Sequence, residues 1–176
     1  MTRAAVFLDR DGILNHATVI NNKPFSPRAI DEVRIIDGVV SRLESLKKIG
    51  YLLIGITNQP DVARKLMRLE DGIQINDFVV EQCKLDRLYC CFHDDVDCCN
   101  CRKPKPGLIY EAVRDYRLDI NASYLIGDRW RDIETANAVN LRSYFVDYGY
   151  DESRSQYATL TFPHPTLALD HIIQSH

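Results

Sequence analysis

Two aspartates, Asp9 and Asp11, directly follow a short apolar run near the amino terminus. Two carboxylates at positions i and i+2 can divide a reaction between them, one attacking or holding a cation while the other transfers protons. A turn in which an aspartate caps the backbone accounts for the same residues equally well. The Asp-Arg-Asp-Gly sequence by itself leaves both interpretations open.

Three more polar groups lie much further along the chain. Thr57 and Asn58 follow a second apolar run, and their hydroxyl and amide groups suit phosphoryl oxygens as well as ordinary turns. Lys103 offers a positive charge, either fixed in a site or on a solvated surface. Asp128, with Asp132 shortly after it, can hold a cation or begin a helix. Each signal is weak alone, so their positions in the fold decide their meaning.

A cysteine cluster indicates a second kind of site. Five cysteines fall within twelve residues, namely Cys90, Cys91, Cys98, Cys99 and Cys101. With His93 they form ligand pairs around a short loop, a pattern typical of a tetrahedral Zn²⁺ site with three cysteines and one histidine. Cys90 and Cys98 duplicate the pairs, so the spacing leaves the ligand set open. Disulfides are not expected in a cytosolic protein, so the alternative to a metal site is a cluster of reduced cysteines without metal.

Short apolar runs alternate with helical patterns along the chain, which predicts a parallel sheet covered on both faces in a three-layer α/β fold. We expect strands at Ala4–Leu8, Tyr51–Thr57, Arg87–Cys91, Tyr124–Ile126, Ser143–Val146 and Tyr157–Phe162, and helices at Val39–Ile49, Ile75–Leu85, Gly107–Tyr116, Ile133–Val139 and Thr166–Gln174. In such folds ligands bind beyond the carboxyl ends of the strands. The polar groups above should therefore meet at one edge of the sheet.

The composition bounds the protein's class and partners. A chain of 176 residues with a net charge of −3 predicts one globular domain over residues 1–176. Without a basic stripe, a small molecule is a better expected partner than nucleic acid. No apolar stretch reaches membrane-spanning length and no signal cleavage site follows the start, so we expect a cytoplasmic protein. We also expect a monomer. We interpret His164, His171 and His176 as surface residues.

The order of the motifs is more specific than any one of them. The stretches FLDRDG (7–12), ITNQ (56–59), RKPKPG (102–107) and GDRWRD (127–132) resemble the phosphatases of the haloacid dehalogenase (HAD) superfamily. The resemblance runs from about Ala4 to Tyr150. It implies a HAD-like Rossmannoid fold with a central parallel sheet. The gaps after the first and second motifs are too short for a large cap domain, so we expect an open site.

The resemblance also implies residue roles in a Mg²⁺-dependent phosphomonoester hydrolase. Asp9 would attack phosphorus to form an aspartyl-phosphate, while Asp11 would protonate the leaving alcohol and then activate water. Mg²⁺ would be held by the side chains of Asp9 and Asp128 and the backbone carbonyl of Asp11. The other implied roles are phosphoryl binding by Thr57 and Asn58, charge neutralisation by Lys103, and contacts to the rest of the substrate by Arg102 and Arg129. Asp132 would position a metal-bound water or a basic neighbour.

Two further expectations follow from these roles. Asp9 must stay ionised while Asp11 carries a proton, and a cation near Asp9 can separate their pKa values in that order. In the loop at about residues 90–102, the family's spacing favours Cys91, His93, Cys99 and Cys101 as Zn²⁺ ligands. Zinc would then be structural and would fix the adjacent segment that carries Arg102 and Lys103.

The cysteine loop and the CRKPKPG stretch are similar to the HAD branch that acts on heptose bisphosphates and histidinol phosphate. A phosphorylated sugar such as a heptose bisphosphate is the expected substrate, although the PDVARK stretch (60–65) departs from the heptose enzymes' pattern. Histidinol phosphate and a polynucleotide 3′-phosphate are the alternative substrates. A zinc-containing binding module is the non-enzymatic alternative. Specificity should depend on residues 15–30 and 60–68 and on the zinc loop.

Overall fold

The structure, a computed structural model, describes residues 2–153 and 157–175. Within these ranges the strands are β1 (Ala5–Leu8), β2 (Thr18–Ile20), β3 (Lys23–Phe25), β4 (Leu52–Asn58), β5 (Arg87–Cys91), β6 (Tyr124–Gly127), β7 (Arg142–Val146) and β8 (Leu160–Phe162). The α-helices are α1 (Val39–Lys48), α2 (Leu69–Cys83), α3 (Gly107–Tyr116), α4 (Trp130–Asn137) and α5 (Pro165–Gln174). Short 3₁₀ turns lie at Ile30–Glu32, Asp95–Asp97 and Ile120–Ala122.

Six of the described strands form one parallel sheet in the order β5-β4-β1-β6-β7-β8. Alternate residues of the central strand β1 point to opposite faces, so Val6 and Leu8 join one hydrophobic core while Ala5 and Phe7 join the other. Helices α1, α2 and α5 pack on the first face, and α3 and α4 pack on the second. The predicted three-layer α/β fold is confirmed.

The main differences from the sequence prediction concern α2, α4, β8 and residues 18–25. Strand β8 begins at Leu160, where its pairing with β7 begins, rather than at Tyr157. Helix α2 begins at Leu69 rather than Ile75, because its first apolar residues, Leu69 and Ile73, are exposed and do not mark a buried face. Helix α4 begins at Trp130 rather than Ile133, because the Asp132 carboxylate accepts a hydrogen bond from the backbone N–H of Arg129 at 3.1 Å. Residues 18–25 form the antiparallel hairpin β2-β3. Its strands are exposed apart from the half-buried Pro24, so no alternation of buried and exposed side chains could predict them.

The two segments in which a large cap domain could lie are short. Residues 12–38 contain the β2-β3 hairpin and one 3₁₀ turn, and residues 59–86 contain a loop followed by α2. In the described ranges, no helix has both the length and the apolar character needed to cross a membrane. The predicted surface residue His176 lies outside the described residues.

Candidate active site

The carboxyl ends of β1, β4 and β6 bring the first polar groups together. Asp9 follows β1, Thr57 lies near the end of β4, and Asp128 follows β6, and all three are buried in the floor of one cleft. The backbone N–H of Asp9 donates to Ile126 O at 3.0 Å, which joins the ends of β1 and β6. Sequence positions more than a hundred residues apart therefore share one site.

Lys103 enters this cleft from the loop before α3 and is 2% exposed. Its ammonium group lies 2.9 Å from Asp9 Oδ1 and 2.5 Å from Asp132 Oδ1, and it also donates to Ile56 O at 3.0 Å. Burial alone would lower the pKa of Lys103, but the two carboxylates outweigh it and raise the pKa above its ordinary value. Of the two alternatives for Asp132, the structure has it contacting a basic neighbour.

Asn58 fixes the main chain at the same lysine. Its side-chain oxygen accepts from the backbone N–H of Lys103, and its amide group donates to the Lys103 carbonyl, both at 3.0 Å. Lys103 is therefore held at its backbone by one strand end and at its ammonium group by two carboxylates. Asn58 retains one amide hydrogen and one lone pair with which it can meet a ligand.

Three carboxylates form a group that fits a cation. One oxygen each from Asp9, Asp128 and Asp132 lie within 4.8 Å of one another, and all three residues are buried. Both oxygens of Asp128 are buried, and neither accepts a hydrogen bond within 3.5 Å from the described residues, although the Tyr150 hydroxyl is near enough to lower the pKa of Asp128 slightly. Burial and then the charges of Asp9 and Asp132 raise the pKa of Asp128 well above its ordinary range. Hard carboxylate oxygens that repel one another, those of Asp128 without partners, suit Mg²⁺.

A close approach of the backbone makes room for these carboxylates. A side chain at Gly12 would overlap the Asp128 carboxylate, and one at Gly127 would overlap Asp132. Gly12 also has a positive φ of 83°, which other residues rarely adopt. The glycines in the DRDG and GDRWRD motifs are thus required by the geometry of the carboxylate group.

The Asp11 side chain has a different environment from that of Asp9. Among the described residues, five hydrogen bonds reach its two oxygens, donated by Arg10 (two), Asn15, Ser26 and Gln59. Burial opposes ionisation of Asp11, but the charge of Arg10 and the hydrogen bonds from Arg10, Asn15 and Gln59 together outweigh it and lower the pKa of Asp11 below its ordinary value. For Asp9, burial and then Asp132 raise the pKa to about 7. Without a cation, the order of the two pKa values is therefore the reverse of the expected one.

The arginines of the cleft are already paired with acids. Arg102 Nε donates to Asp95 Oδ1 at 2.8 Å, and Arg129 Nε donates to Glu152 Oε2 at 2.9 Å. Both arginines line the wider part of the cleft, and each guanidinium has further N–H groups besides the Nε–H of its ion pair. Phe25 and Ser26, which belong to the segment 15–30 expected to influence specificity, also line the cleft.

The predicted metal ligands of the cysteine loop form one compact cluster. The sulfur of Cys101 lies 3.2 Å from that of Cys91 and 3.5 Å from that of Cys99, and 3.3 Å from His93 Nδ1. These separations are close to the edge of about 3.8 Å expected for thiolates around tetrahedral zinc. Burial alone would raise the pKa of Cys99, but hydrogen bonds, among them those from the Arg102 backbone and from Cys101, lower it to about 7.

The two duplicate cysteines do not belong to this cluster. Cys98 is exposed, and its thiol lies near the Asp95 carbonyl at 3.9 Å. Cys90 precedes Cys91 on β5, so its side chain points to the opposite face of the sheet. The group that can hold a metal therefore consists of Cys91, His93, Cys99 and Cys101.

Comparison with known proteins places this arrangement in a class. A family profile described as HAD-hydrolase-like matches residues 100–174. D-glycero-β-D-manno-heptose-1,7-bisphosphate 7-phosphatase from Photorhabdus laumondii is 35% identical over 151 residues, or 78% of this chain and 76% of that protein. The enzyme of the same name from Pasteurella multocida is 32% identical over 154 residues, or 80% of this chain and 79% of that protein.

A solved structure supports the fold. The D,D-heptose 1,7-bisphosphate phosphatase from B. bronchiseptica, complexed with magnesium and phosphate, superposes with a TM-score of 0.83 at 22% identity, covering 98% of this chain and 99% of that one. The sheet, the motifs at its strand ends and these similarities define a phosphatase of the HAD-like class. The chain belongs to the family of the D-glycero-β-D-manno-heptose-1,7-bisphosphate 7-phosphatases.

Proposed function

We propose that this phosphatase hydrolyses phosphate monoesters with Mg²⁺ through an aspartyl-phosphate on Asp9. The observation that carries the proposal is the contact of Asp9 Oδ1 with the Lys103 ammonium group at 2.9 Å, beside the unsatisfied carboxylate of Asp128. A carboxylate between a fixed cation and a metal-binding carboxylate is placed to meet a phosphoryl group. The side chains of Asp9 and Asp128 and the backbone carbonyl of Asp11 would hold Mg²⁺.

In the first step an Asp9 carboxylate oxygen attacks phosphorus as the bond from phosphorus to the ester oxygen breaks. The ester oxygen takes a proton from Asp11 and leaves as an alcohol. In the second step Asp11 accepts a proton from water, the water oxygen attacks phosphorus, and Asp9 leaves as a carboxylate. Bound Mg²⁺ supplies charge neutralisation for the phosphoryl oxygens.

The neighbouring residues set up these transfers. Lys103 neutralises charge that develops on the phosphoryl oxygens, while Thr57 and Asn58 bind them. The negative charge of an incoming phosphate raises the pKa of Asp11, which gives that residue the proton it needs for the first step. A cation at the Asp9 and Asp128 carboxylates lowers the pKa of Asp9 in the same way. The ligands themselves thus restore the order of pKa values that the reaction requires.

The proposed substrate is a heptose bisphosphate, cleaved at the 7-phosphate as in the named relatives. The reacting phosphate would bind at Asp9, and the second phosphate would bind in the wider part of the cleft, which contains the cationic side chains of Lys23, Arg64, Arg102, Arg129 and Arg131. On substrate binding, Arg102 and Arg129 would exchange their ion pairs with Asp95 and Glu152 for contacts to this second phosphate. A bisphosphate supplies enough charge for that exchange.

We further propose that Cys91, His93, Cys99 and Cys101 hold a structural Zn²⁺. Four ligands leave no open coordination position, which favours a structural rather than a catalytic role. The metal would fix Cys101, and with it the adjoining residues Arg102 and Lys103. The expectations of a single domain over residues 1–176, a monomer and a cytoplasmic location stay predictions.

The experiment is a phosphate-release assay with Mg²⁺ on heptose bisphosphate, heptose 1-phosphate, heptose 7-phosphate, histidinol phosphate and a 3′-phosphorylated oligonucleotide. We expect the highest kcat/KM for the bisphosphate and no turnover by the Asp9→Asn variant. The matched control is Asp77→Asn, which changes an exposed aspartate on α2 outside the cleft. Preference for histidinol phosphate or the oligonucleotide would replace the substrate assignment, and turnover by Asp9→Asn would contradict the mechanism.

A further inference from the structure

Gln59 directly follows β4 and lies between two residues of the proposed mechanism. The residue is fully buried, and its Nε2 donates to Thr57 Oγ1 at 2.8 Å and to Asp11 Oδ2 at 2.9 Å. An amide nitrogen carries two hydrogens, so both bonds form at once. The Gln59 backbone N–H donates to Cys91 O at 2.7 Å, which fixes the residue from the opposite side.

The surrounding donors determine which way the amide points. Asp11 Oδ2 also accepts hydrogen bonds from Arg10 Nη2 at 3.0 Å and from Ser26 Oγ at 2.7 Å. A reversed Gln59 amide would place its oxygen against this acceptor, which is unfavourable. The Thr57 hydroxyl therefore accepts from Gln59, and its single hydrogen remains to be donated. Because Thr57 lines the cleft, that hydrogen is available to a phosphoryl oxygen.

The other end of the same amide argues against a purely structural role. Gln59 Oε1 is buried and accepts no hydrogen bond from any residue in the described part of the chain. An unpaired buried acceptor destabilises a fold, and an apolar side chain of similar shape would avoid the loss. The presence of a glutamine here is therefore explained by the two hydrogen bonds that its amide group donates to Thr57 and Asp11.

We propose that Gln59 is a positioning residue that couples the phosphate-binding hydroxyl of Thr57 to the acid–base carboxylate of Asp11. The inference rests on the proposed function, which gives those two residues their roles. By bonding both, Gln59 directs the Thr57 hydrogen toward the phosphoryl group and holds Asp11 at a fixed distance from it. Its effect should therefore appear in kcat and in the binding of a transition-state mimic.

The test is a double-mutant cycle on Thr57→Val and Gln59→Leu, with kcat, KM and the inhibition constant of vanadate measured in the presence of Mg²⁺. We expect Gln59→Leu to lower kcat by about tenfold to a hundredfold, a fraction of what general acid–base catalysis supplies. The double variant should lose less than the product of the two single losses, because Gln59 acts partly through Thr57. The matched control is Ser26→Ala, which removes a donor to the same Asp11 oxygen without contacting Thr57. Combined with Thr57→Val, it should give the full product.

A second variant separates positioning from packing. Gln59→Met keeps the side-chain length and volume but has no donor, so we expect the same loss of kcat as for Gln59→Leu at a Tm closer to that of the wild type. The inference would be overturned if the loss of kcat in the Thr57→Val, Gln59→Leu double variant equalled the product of the two single losses. It would also be overturned if the losses of activity merely followed the decrease in Tm. Failure of both Gln59 variants to fold would overturn it as well. Failure of the proposed function gives a different result, since Asp9→Asn would then retain activity.

Discussion

The carboxylate group and the cysteine–histidine cluster are two candidate metal sites built in opposite ways. The carboxylates of Asp9, Asp128 and Asp132 come from two parts of the chain more than a hundred residues apart and are all buried. The cluster takes its ligands from a single loop, and only Cys91 is buried among them. The first site depends on the whole sheet, whereas the second depends on local sequence.

The difference extends to what each site leaves unsatisfied. Asp128 has two buried oxygens without hydrogen-bond partners among the described residues, so the carboxylate group has capacity for a further ligand. The cysteine–histidine cluster has four ligand atoms close to one another, which is the number that a closed tetrahedral site requires. In the proposed function, chemistry therefore belongs to the first site and positioning to the second. The two meet where Cys101 adjoins Arg102 and Lys103.

The largest expected difference between the two sites comes from substitution of Lys103. Replacing it in Lys103→Met leaves the carboxylates of Asp9 and Asp132 buried without their cation, so we expect about 3–5 kcal/mol less stability and at least a hundredfold lower kcat. Denaturant unfolding and steady-state kinetics measure these effects. Added Mg²⁺ should recover part of the stability. The control Lys105→Met changes an exposed lysine whose hydrogen bonds in the described part of the chain go to the Cys98 and Cys99 carbonyls, and it should retain activity.

A smaller effect should come from the cysteine–histidine cluster. We expect Cys101→Ser to lower the zinc content and Tm, and to lower kcat by about tenfold through displacement of Arg102 and Lys103. Elemental analysis, thermal unfolding and kinetics measure the three quantities. Cys98→Ser is the matched control, because Cys98 is exposed and lies outside the cluster. Full zinc in the Cys101→Ser protein, or zinc loss from Cys98→Ser, would contradict the ligand assignment.

A third effect is a pH dependence of stability without Mg²⁺. The pKa of Asp9 is about 7 in the fold and 3.8 ordinarily, so between these values the unfolded chain releases a proton that the fold retains. This group therefore makes the protein less stable as pH rises from about 4 to about 7. Asp9→Asn should remove that part of the slope in Tm, and Mg²⁺ should reduce it. An identical slope in the variant would exclude Asp9 as its source.

Much of the fold could be predicted from the sequence because the strands of a parallel sheet are apolar throughout. Strands β1, β4 and β6 are buried almost throughout, and their bounds lie within one residue of the predicted ones for this reason. The hairpin β2-β3 could not be predicted, since its residues 18–20 are all exposed and carry no buried face. The early start of α4 was also missed, because its cap is the carboxylate of Asp132 that contacts Lys103 as well.

The residues of the site were easier to find than their electrostatics. The strand-end rule was enough to bring Asp9, Thr57 and Asp128 together. The low pKa of Asp11 depends on Arg10 and on donors from distant segments, among them Ser26 and Gln59, whose directions no sequence pattern gives. Gln59 stood within the ITNQ stretch, yet only its contacts indicate a role.

The most direct measurement is a chemical trap for the phosphorylated aspartate. The enzyme is quenched with acid during turnover of its substrate with Mg²⁺ and treated with borohydride, which reduces an acyl-phosphate to an alcohol and converts the aspartate to homoserine. Mass spectrometry of the digested protein then locates the change. We predict homoserine at position 9 in the wild-type protein and at no position in Asp9→Asn. Phosphate release with an unmodified Asp9, or with homoserine at another aspartate, would contradict the account.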